Sequence, residues 1–545
     1  MSVTVTATDA SSPGFVTLTG AGSTRPNVSN VNFRPNSAVA NSAVVALSSD
    51  GAIDVAASAS VHVIIDVAGV FSDAAGPVSS GRFVPVVPSR LADTRAGGSP
   101  EAGDLVVPLP AGVAPDAMAV AISVTVADPT APVYVTVHPN GVGRPTTSVV
   151  NSDLLERARA VTVLAPVTPT GLVVYRSAPA NVVVDVIGWF TGPSAPASTD
   201  GLFVSQTPIR VWDSRATADP IHAGGSVERQ LVAQPAAAVL VNVTAVDATA
   251  PGYVSMYPAG TPQPYVSMLN VTWRDPLASM TIVSNSTRGA AFSASVGMHV
   301  LVDVTGYFTG TPAAPVTQAV GEQVSNPMPA SGGSVLFVSD SSLAVIRWNG
   351  QLGSLQGASI TADLESCRRL IGVSCRGREG YAPTTAVQAV AGARGNFDTL
   401  VVNVGYNDFS STFATGFDSV IAAARARGIA RVVWFTYRES VGYVSPQGAS
   451  NPENYATYNA MLRSFVASGR YPEVVLADWN TYTATRPGWL GADGVHVTTV
   501  GARAAGEYVS RTLAFLDRRA CPAGLGGVVA AGGWCASPDV TGPPA

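Results

Sequence analysis

Short runs of alternating apolar and polar residues fill the first 310 residues of the chain. The runs are rich in Val, Ile, Thr and Tyr, and Pro, Gly and Asn separate them. This pattern is typical of half-buried antiparallel strands joined by turns. Strands of this kind pack as two sheets within roughly 110 residues. We therefore predict all-β, sandwich-like modules in this part of the chain.

One phrase recurs near the end of three segments and indicates a repeated module. It reads IDVAGVF at 65–71, VDVIGWF at 184–190 and VDVTGYF at 302–308, a period of about 118 residues. A period of this length is too long for a solenoid unit of roughly 20–50 residues and indicates a string of whole domains. The expected domains are a partial repeat at 1–75 and complete repeats at 82–192 and 201–310.

The second and third repeats share an opening phrase that the first repeat lacks, RLADTR at 90–95 and RVWDSR at 210–215. The first repeat therefore looks incomplete, and we expect that residue 1 is not the natural start of a module. The opening phrases are dense in charge, so a ligand site is one interpretation. The favoured one is structural, because an Asp between two Arg readily forms paired hydrogen bonds that hold a strand end. The Asp of each closing phrase is expected to bond a neighbouring turn and not a metal ion.

The pattern changes after a segment at 311–333 that is rich in Pro, Ala, Gly and Ser, the composition of a linker. Beyond it, strand-like runs alternate with helix-like runs. The strand-like runs are 334–338, 359–364, 399–404, 430–436 and 473–477, and the helix-like runs are 384–393, 412–427, 454–467 and 499–516. This alternation predicts parallel strands with helical crossovers, hence an α/β/α (flavodoxin-like) domain at 334–520 whose site lies at the carboxyl ends of the strands.

Composition and charge narrow the classes of function. A chain of 545 residues is too long for one hydrophobic core, and 47% apolar against 12% charged residues excludes intrinsic disorder. All 31 basic residues are Arg, which excludes catalysis by lysine. The net charge of −5 offers no basic field for nucleic acid. No apolar run reaches the roughly 18 residues of a membrane-spanning helix, and residues 1–20 lack the pattern of a signal peptide.

Four cysteines lie in the last third of the chain: Cys367, Cys375, Cys521 and Cys535. They lack the close spacing of a zinc site, and their even number favours two disulfides and a secreted or cell-surface location. Sequential pairing is the simplest of the three connectivities that four cysteines allow, and free buried thiols are the weaker alternative. The second pair is expected to close a Gly-rich tail at 521–545.

Three short blocks fall at predicted strand ends or just before the last helix: SDSSL at 339–343, GYND at 405–408 and DGVH at 493–496. Together they resemble the blocks of the SGNH (GDSL-type) serine hydrolases, a family of esterases and lipases. In that family the first block carries the nucleophilic Ser, the second an Asn of the oxyanion hole, and the third the Asp and His of the triad.

The resemblance implies roles for particular residues of this chain. Ser341 becomes the nucleophile, Asp493 and His496 complete the triad, and Asn407 donates to the oxyanion. It implies no cofactor and no metal ion. The chain departs from the family at Ser339, where Gly is usual, and after the second strand, where Cys367 falls near the place of a Gly whose N–H donates to the oxyanion.

The residues themselves support the same chemistry. A serine hydroxyl needs an imidazole to remove its proton, and the imidazole needs a carboxylate to orient it. His496 is the only histidine after residue 333, and Asp493 lies three positions before it. The alternative is a helix-capping Asp beside a solvated His. The remaining histidines fall in the β repeats and are expected to be structural; they are His62, His138, His222 and His299.

Two further assignments rest on the first block. Ser339 and Ser342 compete with Ser341, because any of the three can cap the following helix. The family register favours Ser341, whose N–H at the helix start then also points toward a developing oxyanion. For Asn407 the alternative is a structural Asx turn after a strand.

The modules at 2–310 resemble the β-rich repeats of secreted actinobacterial proteins, which stand beside cell-wall-directed domains. The sequence thus favours an extracellular serine esterase that hydrolyses short acyl esters of cell-wall polysaccharide, glycolipid or lipid, with repeats that bind wall polysaccharide. An acyltransferase to sugar hydroxyls is one alternative. A surface adhesin with a vestigial hydrolase domain is the other.

Overall fold

The computed structural model describes residues 1–97, 100–110, 112–156, 158–264, 266–273, 275–328, 330, 332–439, 452–523, 529–530, 532–536 and 540–541. The chain is multidomain and strand-rich, and it forms two compact units, residues 1–315 and 316–545. None of the helices in the described ranges is both long and apolar enough to span a membrane.

The first β module consists of two three-stranded sheets with apolar side chains between them. Its strands are β1 (Ser2–Thr8), β2 (Gly14–Gly20), β3 (Val31–Phe33), β4 (Val39–Val44), β5 (Ile53–Ala57) and β6 (His62–Gly69). The sheet orders are β4-β1-β6 and β3-β2-β5. Val5 and Leu18 belong to the apolar cluster between the sheets, and Thr4 and Thr6, which alternate with Val5 on β1, are buried too.

The second module adds two strands before the equivalent of β1. Its strands are β7 (Phe83–Asp93), β8 (Glu101–Val107), β9 (Ala119–Ala127), β10 (Val133–Pro139), β11 (Val150–Ser152), β12 (Ala158–Pro166) and β13 (Leu172–Phe190), with a 3-10 helix at Thr94–Gly97. The first part of β13 pairs with β8 and β10, and its second part pairs with β7 and β9. One long strand therefore takes part in both sheets.

The third module is a sandwich of two four-stranded sheets. Its strands are β14 (Phe203–Asp213), β15 (Ser226–Arg229), β16 (Ala238–Val246), β17 (Gly252–Pro258), β18 (Leu269–Val271), β19 (Leu277–Ser284), β20 (Ala290–Ala294) and β21 (His299–Phe308). The sheet orders are β14-β21-β16-β19 and β15-β20-β17-β18. The opening strand β14 thus lies beside the closing strand β21, as β7 lies beside β13.

Antiparallel pairing of opening and closing strands brings their charges together. Arg90 lies opposite Asp185, and Arg210 lies opposite Asp303. The distance from the arginine Nε to the carboxylate Oδ1 is 2.8 Å in both pairs. The closing Asp was expected to bond a neighbouring turn; it instead accepts hydrogen bonds from an arginine of the opening strand, because the register of the two strands makes them partners.

The aromatic residues that end the three closing phrases meet at one place. The ring centroids of Phe71, Phe190 and Phe308 are 5.9, 6.2 and 6.3 Å apart. Phe190 and Phe308 are buried there. The repeats therefore do not form a string of separate domains. They meet at a shared aromatic centre, where the last ring of each closing phrase packs against the other two.

Polar contacts join every pair of modules in this unit. They run from one module's side chain to a neighbour's backbone or side chain. Examples are Asn242 Nδ2 to Ser29 O (2.8 Å), Arg159 Nη2 to Ala40 O (3.2 Å) and Thr162 Oγ1 to Thr281 Oγ1 (2.9 Å). The three modules thus form one closed assembly within a single chain.

The second unit alternates strands and helices. Its elements are β22 (Gln318–Ala319), β23 (Gln323–Ser325), β24 (Ser334–Ser339), α1 (Ser341–Trp348), β25 (Ser359–Leu364), β26 (Ala382–Pro383), α2 (Ala386–Gly392), β27 (Thr399–Asn403), α3 (Ser410–Ala426), β28 (Arg431–Phe435), α4 (Pro452–Ala467), β29 (Val474–Ala477), α5 (Trp479–Ala484), α6 (Thr499–Leu516) and β30 (Val540–Thr541), with 3-10 helices at Leu352–Ser354 and Pro487–Trp489.

A seven-stranded sheet lies at the centre of this unit, in the order β23-β25-β24-β27-β28-β29-β30. The five strands from β25 to β29 are parallel, and the two outer strands are antiparallel to their neighbours. Residues of α2, α3 and α4 share one buried cluster with the sheet, and residues of α1, α5 and α6 share another. Because the strand order reverses beside β24, a site is expected where β24 and β27 end.

The segment 311–333, interpreted from its composition as a linker, contributes two short strands to the second unit. Residues 318–319 pair with β26, and residues 323–325 pair with β25. The compact unit accordingly begins at residue 316, ahead of the expected start at 334. A backbone rich in small residues can still pair at a sheet edge, and composition alone does not reveal this. Part of the tail at 521–545 lies outside the described residues.

Candidate active site

The first block turns from a strand directly into a helix. Strand β24 ends at Ser339, and Asp340 caps α1 by accepting hydrogen bonds from the Ser342 N–H (3.0 Å) and the Ser342 hydroxyl (2.7 Å). Ser341 is thus the first residue of the helix. Its N–H lies at the positive end of the helix dipole, and no acceptor for it is found among the described residues.

Asp340 also ties the first block to the second. Its other carboxylate oxygen accepts hydrogen bonds from the N–H groups of Gly405 and Tyr406, each at 3.0 Å. The side chain is fully buried, and this burial raises its pKa even though the hydrogen bonds act in the opposite direction. The sequence analysis gave Asp340 no role; its position between the strand end and Ser341 was the available signal.

Ser341, His496 and Asp493 form one chain of hydrogen bonds. The Ser341 Oγ lies 2.9 Å from His496 Nε2, and His496 Nδ1 lies 2.6 Å from Asp493 Oδ2. An imidazole with its proton on Nδ1 donates to the carboxylate and leaves Nε2 free to accept the serine proton. The structure therefore brings together the three residues that the sequence predicted for a triad.

The loop that carries Asp493 and His496 holds its own carboxylate in place. Asp493 Oδ1 accepts hydrogen bonds from the N–H groups of Val495 and His496, both at 3.0 Å. Burial acts to raise the pKa of Asp493, but the hydrogen bonds from His496 and from these N–H groups outweigh it and lower the pKa. Asp493 therefore remains a carboxylate that can stabilise an imidazolium.

The hydroxyl groups of the two other serines in the first block form hydrogen bonds with partners other than His496. The Ser339 hydroxyl donates to the Asp340 carbonyl at 2.9 Å and is fully buried. The Ser342 hydroxyl bonds Asp340 and accepts from Asn403 Nδ2 at 3.1 Å. Of the three serines, Ser341 is the one in contact with the imidazole.

Asn407 lies half-buried after β27 and faces the loop that follows β25. Its Nδ2 donates to the Arg368 carbonyl at 3.2 Å. An amide nitrogen carries two hydrogens, so this bond orients the group and leaves one hydrogen for another acceptor. An Asx turn, the structural alternative, would instead use the side-chain oxygen.

Cys367 has a backbone that favours glycine. Its φ is +62°, in the left-handed region that L-residues rarely adopt. The disulfide to Cys375 anchors it, with the two Cα atoms 5.3 Å apart. No acceptor for the Cys367 N–H is found in the part of the chain that the structure describes. The second bridge joins Cys521 and Cys535, so the pairing is sequential.

Asp408, the residue after Asn407, also contacts the loop at 367–370. Both of its carboxylate oxygens lie 3.1 Å from the Leu370 N–H. The side chain is buried, and this burial raises its pKa to about 7 against the opposing charge of Arg369. Asn407 and Asp408 of the second block therefore both accept or donate hydrogen bonds that tie this block to the loop at 367–370.

A charged cluster that the sequence analysis missed connects α1 to this loop. Arg347 lies 3.2 Å from Glu365 and 2.9 Å from Glu379. Burial raises the pKa of Glu365, whose side chain is fully enclosed. Glu379 also accepts from the N–H and hydroxyl of Ser366, the residue before Cys367. No sequence pattern pairs these residues, because they meet only through the fold.

The remaining histidines lie in the first unit, where His299 Nδ1 is 3.0 Å from the Ser214 hydroxyl. Within the described residues no group of three or more His, Cys, Asp or Glu side chains is arranged to hold a metal ion.

No protein-family model and no curated protein matches the sequence. Solved structures similar to parts of it are SGNH-type hydrolases, esterases and lipases that cover about a third of the chain. One of these structures is a protein from Slackia heliotrinireducens assigned to the SGNH hydrolases. It is 19% identical to this chain with a TM-score of 0.23, and the match covers 32% of this chain and 94% of that protein. An acetylxylan esterase from Geobacillus stearothermophilus, solved as a catalytic mutant, is 13% identical with a TM-score of 0.24. The match covers 34% of this chain and 95% of that esterase. A lipase/acylhydrolase from Enterococcus faecalis is 15% identical with a TM-score of 0.24. The match covers 33% of this chain and 94% of that protein. Similarity this low identifies no activity for this chain.

Proposed function

We propose that the second unit is a serine esterase of the SGNH type, with Ser341 as nucleophile, His496 as general base and acid, and Asp493 as the group that orients His496. The observation that carries this proposal is the continuous hydrogen-bond chain from the Ser341 hydroxyl to the Asp493 carboxylate. A serine hydroxyl becomes a useful nucleophile only with such a base beside it.

The reaction proceeds in two halves. The Ser341 Oγ forms a bond to the ester carbonyl carbon while its proton passes to His496 Nε2. The tetrahedral intermediate then collapses, the bond to the alcohol oxygen breaks, and the alcohol leaves with the proton from His496. In the second half, water attacks the acyl carbon while its proton passes to His496 Nε2. The bond to Ser341 Oγ then breaks, the acid leaves, and the proton returns to Oγ. Asp493 stabilises the imidazolium in both halves.

Three donors are proposed for the oxyanion: the N–H of Ser341, the Nδ2–H of Asn407 and the N–H of Cys367. They come from the ends of β24, β27 and β25, which are neighbours in the sheet. Fixed donors of this kind act on charge that appears in the transition state. The positive φ at Cys367 supports its assignment, because it gives this residue the backbone expected of the family's glycine.

The proposed setting is extracellular. Disulfides persist in oxidising compartments, and the unit contains two of them. The proposed substrates are short acyl esters of cell-wall polysaccharide, glycolipid or lipid, with the β modules holding the enzyme at the wall polysaccharide. The proposed reaction is hydrolysis, and the His496 side chain, which is 44% exposed, leaves water access to the acyl-enzyme.

The test is a panel of p-nitrophenyl esters from acetate to palmitate, incubated with the full chain. Turnover should be highest for short chains and should persist in EDTA, because the proposed chemistry uses protein groups alone. Product analysis with and without an added sugar acceptor distinguishes hydrolysis from transfer. Ester turnover that is absent for every chain length, or that Ser341→Ala leaves intact, would contradict the proposal.

A further inference from the structure

Three buried tyrosine hydroxyls donate hydrogen bonds to the backbone of the second block and of the residue before it. The bonds run from Tyr437 Oη to Val404 O (2.6 Å), from Tyr455 Oη to Tyr406 O (3.4 Å) and from Tyr458 Oη to Asp408 O (2.8 Å). All three tyrosine side chains are fully buried. The acceptors are alternate carbonyls, and Asn407 lies between the second and the third. The backbone on both sides of Asn407 is therefore bonded to a tyrosine.

These three carbonyls lie beyond the regular hydrogen bonds of the sheet. Strand β27 ends at Asn403, so the residues that follow it have no place in the ladder between strands. No backbone N–H of the described residues donates to any of the three carbonyls. A buried carbonyl without a donor costs free energy comparable to that of a lost hydrogen bond. The tyrosine hydroxyls therefore supply donors that the backbone does not.

The tyrosines come from two elements that Asn459 joins. Tyr437 follows β28, the strand beside β27, and Tyr455 and Tyr458 lie on α4. Residues three apart on a helix are neighbours on its surface, so the two hydroxyls of α4 can reach the same segment. Asn459 of α4 donates from Nδ2 to the Tyr437 carbonyl and accepts at Oδ1 from the Tyr437 N–H, each at 2.7 Å. The end of β28 and α4 thus form one support for the second block.

Packing of the aromatic rings limits where the hydroxyls can lie. The ring centroid of Tyr458 is 5.5 Å from that of Tyr437 and 6.1 Å from that of Tyr455. Phe413 of α3 stacks on Tyr458 at 4.1 Å, with 5° between the ring planes. The position of a tyrosine hydroxyl is set by two side-chain torsions, and close packing of the ring fixes both. The three donors are therefore rigid.

The side chains of the same block contact a different part of the fold. Asn407 Nδ2 donates to the Arg368 carbonyl, and the Asp408 carboxylate accepts from the Leu370 N–H. The side chain of Asn407 is short, so a shift of its backbone moves the amide by a similar distance. A displacement of about 1 Å in a catalytic group can cost roughly 10²-fold in rate. The position of the proposed oxyanion donor therefore depends on what holds the backbone beside it.

We propose that Tyr458 and Tyr455 are positioning residues for the oxyanion hole, because their hydroxyls hold the backbone on either side of Asn407 and thereby place its Nδ2–H. Phe in either position would fill the same space, so the hydroxyl and not the ring has this role. Tyr458 should contribute more than Tyr455, since its hydrogen bond is the shorter, 2.8 against 3.4 Å. The inference rests on the proposed function, because it requires that Asn407 donates to an oxyanion.

The test compares Tyr458→Phe with the wild type in the full chain, with p-nitrophenyl acetate as substrate. We expect kcat to fall about tenfold while KM stays nearly unchanged, and a smaller fall in Tyr455→Phe. Tyr471→Phe is the matched control. Tyr471 is also buried and donates to a residue distant in sequence, Asp418, but it lies just before β29, away from the carboxyl ends of the strands. Its loss should lower the melting temperature and leave kcat intact.

A second comparison separates positioning from a general structural role. If Tyr458 acts through Asn407, then Tyr458→Phe should have little further effect on kcat in the Asn407→Ala background. A hydroxyl that only supports the fold would lower kcat by the same factor in both backgrounds. Tyr455→Phe should show the same dependence on Asn407, and it decides the question if Tyr458→Phe does not fold.

The possible failures point to different errors. Full kcat in both Tyr→Phe variants, or an equal loss with and without Asn407, would overturn this inference and leave the proposed esterase intact. A rise in KM at constant kcat would also overturn it, because the tyrosines would then act on substrate binding. Absence of ester turnover in the wild type would overturn the proposed function, and this inference with it.

Discussion

Asp408 and Leu370 hold together the two loops that carry the proposed oxyanion donors, with both carboxylate oxygens of Asp408 at 3.1 Å from the Leu370 N–H. One loop contains Asn407 and the other Cys367. The contact is buried and involves a group that titrates near neutrality. The geometry of the site is therefore linked to the protonation of a residue outside the triad.

The pKa of Asp408, raised by burial from 3.8 to about 7, should make stability fall as pH rises. Between these values the folded state keeps a proton that the unfolded state has lost, so the free energy of unfolding drops by about 1.4 kcal/mol per pH unit and levels off above pH 7. Asp408→Asn should remove this decline and exceed the wild type in stability at pH 8. Calorimetry of the second unit's transition measures this decline, with Asp418→Asn, at a half-exposed carboxylate bonded by Tyr471, as control. If the stability of Asp408→Asn falls with rising pH as that of the wild type does, another group causes the effect.

Removing either end of the Ser341–His496 hydrogen bond should abolish most catalysis. Ser341→Ala and His496→Ala should each lower kcat by roughly 10⁴–10⁶, and the double variant should be little worse, because the two residues act as one unit. Ser468→Ala, on the surface away from the triad, is the matched control. Additive losses in the double variant would argue against a shared proton transfer.

Asn407→Ala should lower kcat by about 10²–10³ and leave KM nearly unchanged, because an oxyanion donor acts on charge that appears in the transition state. Initial rates over a range of substrate concentrations separate the two constants. Asn396→Ala, an exposed amide at the opposite end of β27, should match the wild type. If KM rises while kcat holds, Asn407 contacts the ground state instead.

The Cys367–Cys375 bridge should affect rate more than stability. If it holds the Cys367 N–H in place, Cys375→Ser should lower kcat by about 10²-fold. Cys535→Ser, which opens the other bridge, should lower the melting temperature and leave kcat intact. Paired melting curves and rate measurements compare the two. A Cys375→Ser enzyme with full kcat would place the third donor elsewhere.

The second unit should fold and act alone when it keeps its edge strand. A fragment of residues 316–545 should hydrolyse small esters at the rate of the full chain, and residues 1–315 should not. A fragment of residues 334–545 lacks β23, which covers the edge of β25, so it should melt at a lower temperature. Equal melting temperatures for the two fragments would show that β23 adds nothing to the core.

The parts of this molecule that the sequence predicts are those with local signals. The Asp493–His496 spacing fits within one loop, and the end of the strand before Ser341 follows from its apolar pattern. The Arg347–Glu365–Glu379 cluster has no such signal, because its members come from a helix, a strand end and a loop. The same holds for Arg90 and Asp185, which are 95 positions apart and meet through strand register.

The arrangement of the repeats could not be read from their period. A spacing of about 118 residues indicates whole domains but does not say whether they pack. The modules pack through contacts among the final aromatics of the closing phrases, and these contacts form only in the folded chain. The edge strand at 323–325 escaped notice for a related reason, since its neighbours in sequence are small residues typical of linkers.

The contacts among Phe71, Phe190 and Phe308 join the three modules at one point. In an open string of domains, recombination between repeats can add or remove one at little cost to the others. Here each of the three rings contacts the other two, so the loss of one module would leave two aromatic rings facing water. Removal of one module should therefore destabilise the other two, an effect that independent domains on a string would not show.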